Sequence, residues 1–173
     1  MPVANSPVTI AKAEFEEVST SPLFALGTVC IDDQGGQWLY VRAAENLTAF
    51  SLCHVTNASV ENGTWLAEMT EASDIANGPK FLGLNQVAFA TNDYGWIARG
   101  PGGGFGRGIR VRSQNMIKGA LAFPLSGTPG AIDDANVDEG VIAGLTTITT
   151  TTSLAAVEAM MTTIITCNLG ETD

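Results

Sequence analysis

The chain has 173 residues, 45% of them hydrophobic and 15% charged, with 18 acids against 8 basic residues and a formal charge of −10. That apolar content is enough for one domain with a core and too high for a disordered chain. The acidic balance excludes a surface that neutralises nucleic-acid phosphates, and no apolar run is long enough for a membrane-spanning helix.

Residues 1–22, "MPVANSPVTIAKAEFEEVSTSP", carry three prolines and the acids Glu14, Glu16 and Glu17. They read as an extended arm that orders against a partner, with a short helical turn around Ala11 to Val18. A signal peptide needs an apolar central stretch, which this segment lacks, so synthesis in a reducing cytoplasm is expected. Cys30, Cys53 and Cys167 are then buried free thiols.

From Leu23 to Asp173 the expectation is a single β-rich domain. "LFALGTVCI" and "QWLYVRA" flank a glycine-containing turn at Asp33 to Gly36 and make a hairpin. In the second strand Trp38, Tyr40 and Arg42 share one face, while Leu39, Val41 and Ala43 share the other. Residues 47–55 are a strand, 63–71 a strand or a helical turn, and Leu82 to Ala90 the centre of a further strand after a turn at Asn77 to Pro79. Asn92–Asp93 turns the chain into a strand from Tyr94 to Arg99. Residues 116–132 suggest a strand broken by Pro124, and "GVIAGLTTITTTTS" is strongly β-branched. "LAAVEAMM" suits one or two helical turns, and "TTIITCNL" is the closing strand. Strands every 8 to 12 residues without long alternating helices predict an all-β fold, an antiparallel β-sandwich or β-barrel with few short helical turns.

The stretch from Arg99 to Ser113 holds six glycines between Gly100 and Gly108. A dinucleotide loop needs Gly at i, i+2 and i+5 before a helix, and a P-loop ends in Gly-Lys-Ser/Thr. Neither spacing occurs, and "IRVRS" alternates as a strand does. The segment reads as a long hairpin tip in which Phe105 and Arg107 are contact anchors. Five of the eight basic residues, Arg99, Arg107, Arg110, Arg112 and Lys118, fall around it. Asp133, Asp134, Asp138 and Glu139 cluster later, so complementary contact surfaces are one reading and solvated loops the other.

Catalytic signals are sparse. His54 is the single histidine, with neither a second histidine nor a cysteine pair at ligand spacing, and there is no nucleophile elbow. No metal or cofactor is expected. Paired carboxylates at Asp32/Asp33, Asp133/Asp134 and Asp138/Glu139 leave an acid/base hydrolase, through Asp133, Asp134 or Asp138, as one alternative. A carbohydrate-binding β-sandwich is another, with Trp38, Tyr40, Trp65, Tyr94 and Trp96 as stacking aromatics.

The order of "LGTVCIDDQGGQWLYVRA", "FLGLNQVAFATNDYGWIARGPGG", "GTPGAIDDA" and "GVIAGLTTITTTTS" resembles the head decoration, or capsid cement, proteins of tailed bacteriophages. The resemblance rests on "YGWIARG" at Tyr94 to Gly100 and "PGAIDD" at Pro129 to Asp134, and covers residues 24–168. It implies a non-enzymatic, cofactor-free virion protein on the outer capsid surface that binds the major capsid protein and bridges its subunits as a dimer or trimer. Phe15, Tyr94, Trp96, Phe105, Arg107, Arg110 and Arg112 are the expected capsid or subunit contacts.

Overall fold

The computed structural model describes residues 15–32, 35–57, 64–71, 73–74, 81–100, 102–103, 109–134, 141–147 and 149–168. The turn expected at 77–79 lies outside them, as do Asp33, Phe105, Arg107, Asp138 and Glu139. The fold is all-β: a closed five-stranded barrel packed against a curled second sheet.

The first sheet contains β1 (Val29–Ile31), β2 (Gln37–Ala43), β3 (Leu52–Asn57), β4 (Trp65–Met69), β5 (Phe81–Asn85) and β6 (Tyr94–Gly100). β2 pairs with β6 along its length and with β4 at its C-terminal end, so the ring β2-β4-β3-β5-β6 closes. β1 extends the expected hairpin, with Cys30 opposite Trp38. The period-2 pattern of β2 does what it predicts. Leu39, Val41 and Ala43 point into the barrel with Cys53, Val55, Ala67 and Ile97. Trp38 and Tyr40 point outward, into a second core.

That second core lies under β7 (Gly102–Gly103), β8 (Arg110–Ser113), β9 (Phe123–Pro124), β10 (Ile132–Asp133), β11 (Val141–Thr147) and β12 (Ala155–Asn168). The order is β11-β12-β8-β10-β9, and a bond from Ile142 N–H to Ala122 C=O (2.8 Å) brings the two ends together, curling the sheet. Val111, Met116, Ile132, Ile142 and Leu145 meet Trp38, Tyr40, Leu52, Leu84 and Trp96 between the layers.

Three departures from the sequence reading have local causes. "LAAVEAMM", expected to form one or two helical turns, lies in β12 from Ala155 onward, where Val157 pairs with Val111 and Met161 with Leu145. Two neighbouring strands supply more backbone bonds and apolar contact than an isolated helical turn could, so tertiary pairing overrides the helix propensity of Ala, Glu and Met. The strand expected from residue 47 begins at Leu52, because Phe50 has φ +65° and Leu47 bridges separately to Phe89. β5 stops at Asn85, whose buried side chain donates to Thr48 C=O and Val87 C=O and accepts from Ser51 N–H. The chain turns there because one amide satisfies three backbone groups. Pro124 sits in a two-residue strand at the end of the sheet order, where its missing donor costs no ladder bond.

Candidate functional site

Residues 15–22 of the arm are described, and with Leu23 and Phe24 after them they dock on their own chain. Phe15 is fully buried, stacked on Trp38 at 4.7 Å and edge-on to Trp96 at 5.3 Å. Ser19 and Tyr94 exchange backbone bonds of 2.9 and 2.8 Å, which add the arm to β6 as a single antiparallel bridge. Leu23 N–H then donates to the Tyr40 hydroxyl at 3.0 Å. Phe24 leans on Tyr40 and Trp96 at 5.3 and 5.2 Å, completing an aromatic cluster in tilted and edge-to-face geometry.

Where the arm crosses the cluster a pocket of about 320 Å³ remains, lined by Glu17, Val18, Leu23 and Tyr94 together with the aromatic cluster. Around it the surface is apolar: Leu23 is 65% exposed, Phe24 37% and Val18 36%. Exposed apolar residues also stand on the curled sheet, where Ile117 (63%) opens the turn closed by Ala120 N–H on Ile117 C=O and Leu121 (60%) follows it. Leu154 follows the segment tied to that turn by the bond from Thr151 N–H to Met116 C=O. None of these six residues stood out in the sequence. The run from Leu23 read as one continuous strand, whereas only Val29–Ile31 is strand and a turn at Leu26–Gly27 leaves Leu23 and Phe24 outside the sheet.

The structure places the expected contact residues differently. Phe15 and Trp96 are interior, because the arm folds back over the barrel and covers the aromatic face. Tyr94 is half-buried at the pocket wall. Arg110 is exposed, as expected of a contact residue, while donating to Ala156 C=O at 2.9 Å and lying 5.0 Å above the Phe50 ring. Arg112 reaches Pro129 C=O at 3.3 Å and Ser51 Oγ at 3.5 Å. Both therefore hold β8 to the Phe50–Ser51 turn, in a seam that also includes the two bonds between Gln86 and the Arg110 backbone. Phe105 and Arg107, the two loop anchors, are outside the described residues.

The groups considered for chemistry are mostly committed to backbone. Asp32 accepts from Gly36 N–H (2.6 Å) and Trp38 Nε1–H (3.1 Å), closing the β1–β2 hairpin. Asp134 accepts from Ile117 N–H at 2.7 Å and Asp133 is buried in β10. His54 is buried, with Nε2 3.5 Å from Glu68 and Nδ1 3.5 Å from Asp74. Among the described residues no three His, Cys, Asp or Glu side chains are grouped to hold a metal ion. The stacking aromatics of the carbohydrate reading divide: Trp38, Tyr40 and Trp96 are covered, while Trp65 packs beside Phe81 at 5.8 Å.

Burial also sets the acid–base behaviour of three groups. Enclosure in the barrel pushes the Cys53 thiol up to about 12, and burial raises the Cys30 thiol as well. Desolvation lowers Arg99, whose guanidinium lies 5.1 Å above the Phe81 ring.

No known protein family, curated protein or solved structure matches the chain.

Proposed function

We propose that the protein is a structural component of a phage head, which binds the outer capsid surface and cements neighbouring major capsid subunits. The observation that carries this reading is the placement of exposed apolar side chains. Val18 projects from the arm and Leu23 and Phe24 from the segment after it, while Ile117, Leu121 and Leu154 project beside turns of the curled sheet. A bridging protein needs a contact for each of the subunits it joins, and exposed apolar groups gathered on a surface mark such contacts. The docked arm supports the same reading. Its Phe15 anchor is covered by its own barrel, so Leu23 and Phe24 are held in place before any partner arrives, and less conformational entropy is lost on binding. Repetition over a shell multiplies modest single contacts.

The two segments that carry the family resemblance serve the scaffold of these surfaces. "YGWIARG" is β6, which receives the arm, and "PGAIDD" forms the turn and strand that join β10 to the barrel through Leu52 N–H and Gly130 C=O.

The test is co-sedimentation of the purified chain with heads that lack it. Saturable binding at a fixed copy number per capsid subunit is expected, and its loss in Leu23→Asp would locate the arm-side contact. No binding at any ratio would overturn the reading.

A further inference from the structure

Among the described residues the outer edge of β1 is an unfilled strand position, and its geometry points to a second copy of this chain as the occupant. Within a strand, successive residues turn their N–H and C=O groups to opposite sides. Thr28 C=O accepts from Tyr40 N–H at 2.9 Å, and Asp32 N–H donates to Gly36 C=O at 2.8 Å, so residues 28 and 32 face the hairpin. Cys30, between them and opposite Trp38, faces the same way. The N–H and C=O groups of Val29 and Ile31 therefore point outward, and β1 pairs only with β2 among the described strands.

Sheet edges in soluble proteins are commonly blunted with lysine, proline, a bulge or a covering segment. β1 has neither of the first two, since residues 28–31 are Thr-Val-Cys-Ile; a glycine bulge at Gly27–Thr28, where Gly27 N–H donates to Tyr40 C=O and Tyr40 N–H to Thr28 C=O, stands just before it, and the β1–β2 register runs without a shift over Val29–Ile31. Val29 and Ile31 are 40% and 38% exposed, and among the described strands only β2 lies beside them.

The edge is self-complementary. An antiparallel copy related by a two-fold axis through Cys30 sets Val29 opposite Ile31 of the second copy, and Ile31 opposite its Val29. Both outward N–H groups and both outward C=O groups of each chain are then paired. The same register joins Val29 to Ile31, both β-branched, at the two hydrogen-bonded pairs, with Cys30 opposite Cys30 of the second copy between them. It sets Asp32 opposite Thr28 rather than opposite another acid, and the Asp32 carboxylate is already held by Gly36 and Trp38 of its own hairpin. The matched Val29–Ile31 and Thr28–Asp32 pairs suit a copy of the chain as the occupant, and a two-fold isologous contact closes at the dimer. The inference concerns the free protein and stands apart from the capsid reading.

The experiment is residue-resolved amide exchange on the full chain, from micromolar to millimolar protein, with sedimentation velocity on the same samples. The contact is short, so dimer is expected to accumulate with concentration rather than at the lowest levels. As it does, exchange at Val29 and Ile31 slows, while Cys30 and Asp32, bonded within their own hairpin, show no corresponding change. Ile31→Lys, at an exposed side chain, is expected to weaken self-association at least tenfold with an unchanged far-ultraviolet spectrum. Monomer throughout overturns the inference. So does a dimer in which Val29 and Ile31 stay unprotected, since another surface would then be responsible.

Discussion

At the residue scale, what a side chain does is set by the space and polarity around it. Gly130 has φ +74°, and a β-carbon there would lie 2.6 Å from Ser51 Cβ, whereas Gly119, with φ +78°, has open space. Gly119→Ala is expected to cost about 1–2 kcal/mol, the left-handed penalty alone. Gly130→Ala adds about 1–3 kcal/mol of overpacking to that penalty, and paired chemical denaturation curves measure the difference. Cys53 offers a test in pH. Its folded value of about 12 stands above the ordinary 9.0, so the folded state holds the proton more tightly. The stability this provides is complete below pH 9 and is lost as pH rises from there through about 12. In the native protein at pH 8 the thiol is expected to resist a thiol-specific reagent, and to react once denaturant opens the barrel. A native Cys53 that reacts at the rate of a free thiol would contradict this burial.

At the scale of elements, the arm and the hairpin each depend on a small number of contacts. Phe15 fastens the arm through Trp38 and Trp96, so Phe15→Ala is expected to destabilise by about 3–5 kcal/mol. Tryptophan emission should shift to the red as both indoles gain water. Asp32→Ala removes two hydrogen bonds at the β1–β2 turn, at a cost of about 1–3 kcal/mol read by thermal unfolding. How much of these elements was legible beforehand follows from the forces involved. The alternation in "QWLYVRA" announced β2 and its two faces, because one residue pattern serves two cores at once. The turn at Asn92–Asp93 was equally plain: Asn92 has φ +72° and the Asp93 carboxylate accepts from Ala90 N–H. "LAAVEAMM" misled, because a local propensity worth tenths of a kilocalorie per residue says nothing about the strands waiting on either side.

At the scale of the molecule, the chain joins two β layers through a polar seam and an apolar core. Arg110, Arg112 and Gln86 belong to that seam, which the basic clustering of residues 99–118 did not distinguish from an outward-facing patch. Their sequence neighbourhood was informative about charge but silent about direction. Leu23→Asp provides the matching whole-molecule test: Leu23 is 65% exposed, so the melting temperature is expected to stay the same while occupancy on phage heads falls. If stability and occupancy fell together, the arm would be acting through the fold rather than through contact.

The sequence by itself determined the all-β class, the two-faced β2 strand, the hairpin before it and the acidic, apolar-rich character that frames every functional reading. Each of these follows from composition or from a period of two, which are local and survive without knowledge of partners. Only the tertiary structure decided that the barrel closes, that the arm returns to seal its own aromatic face, and which apolar residues are left outside. Closure and exposure depend on which strands meet across long stretches of chain, and a β-branched or aromatic residue has the same propensity whether it ends in a core or on a surface.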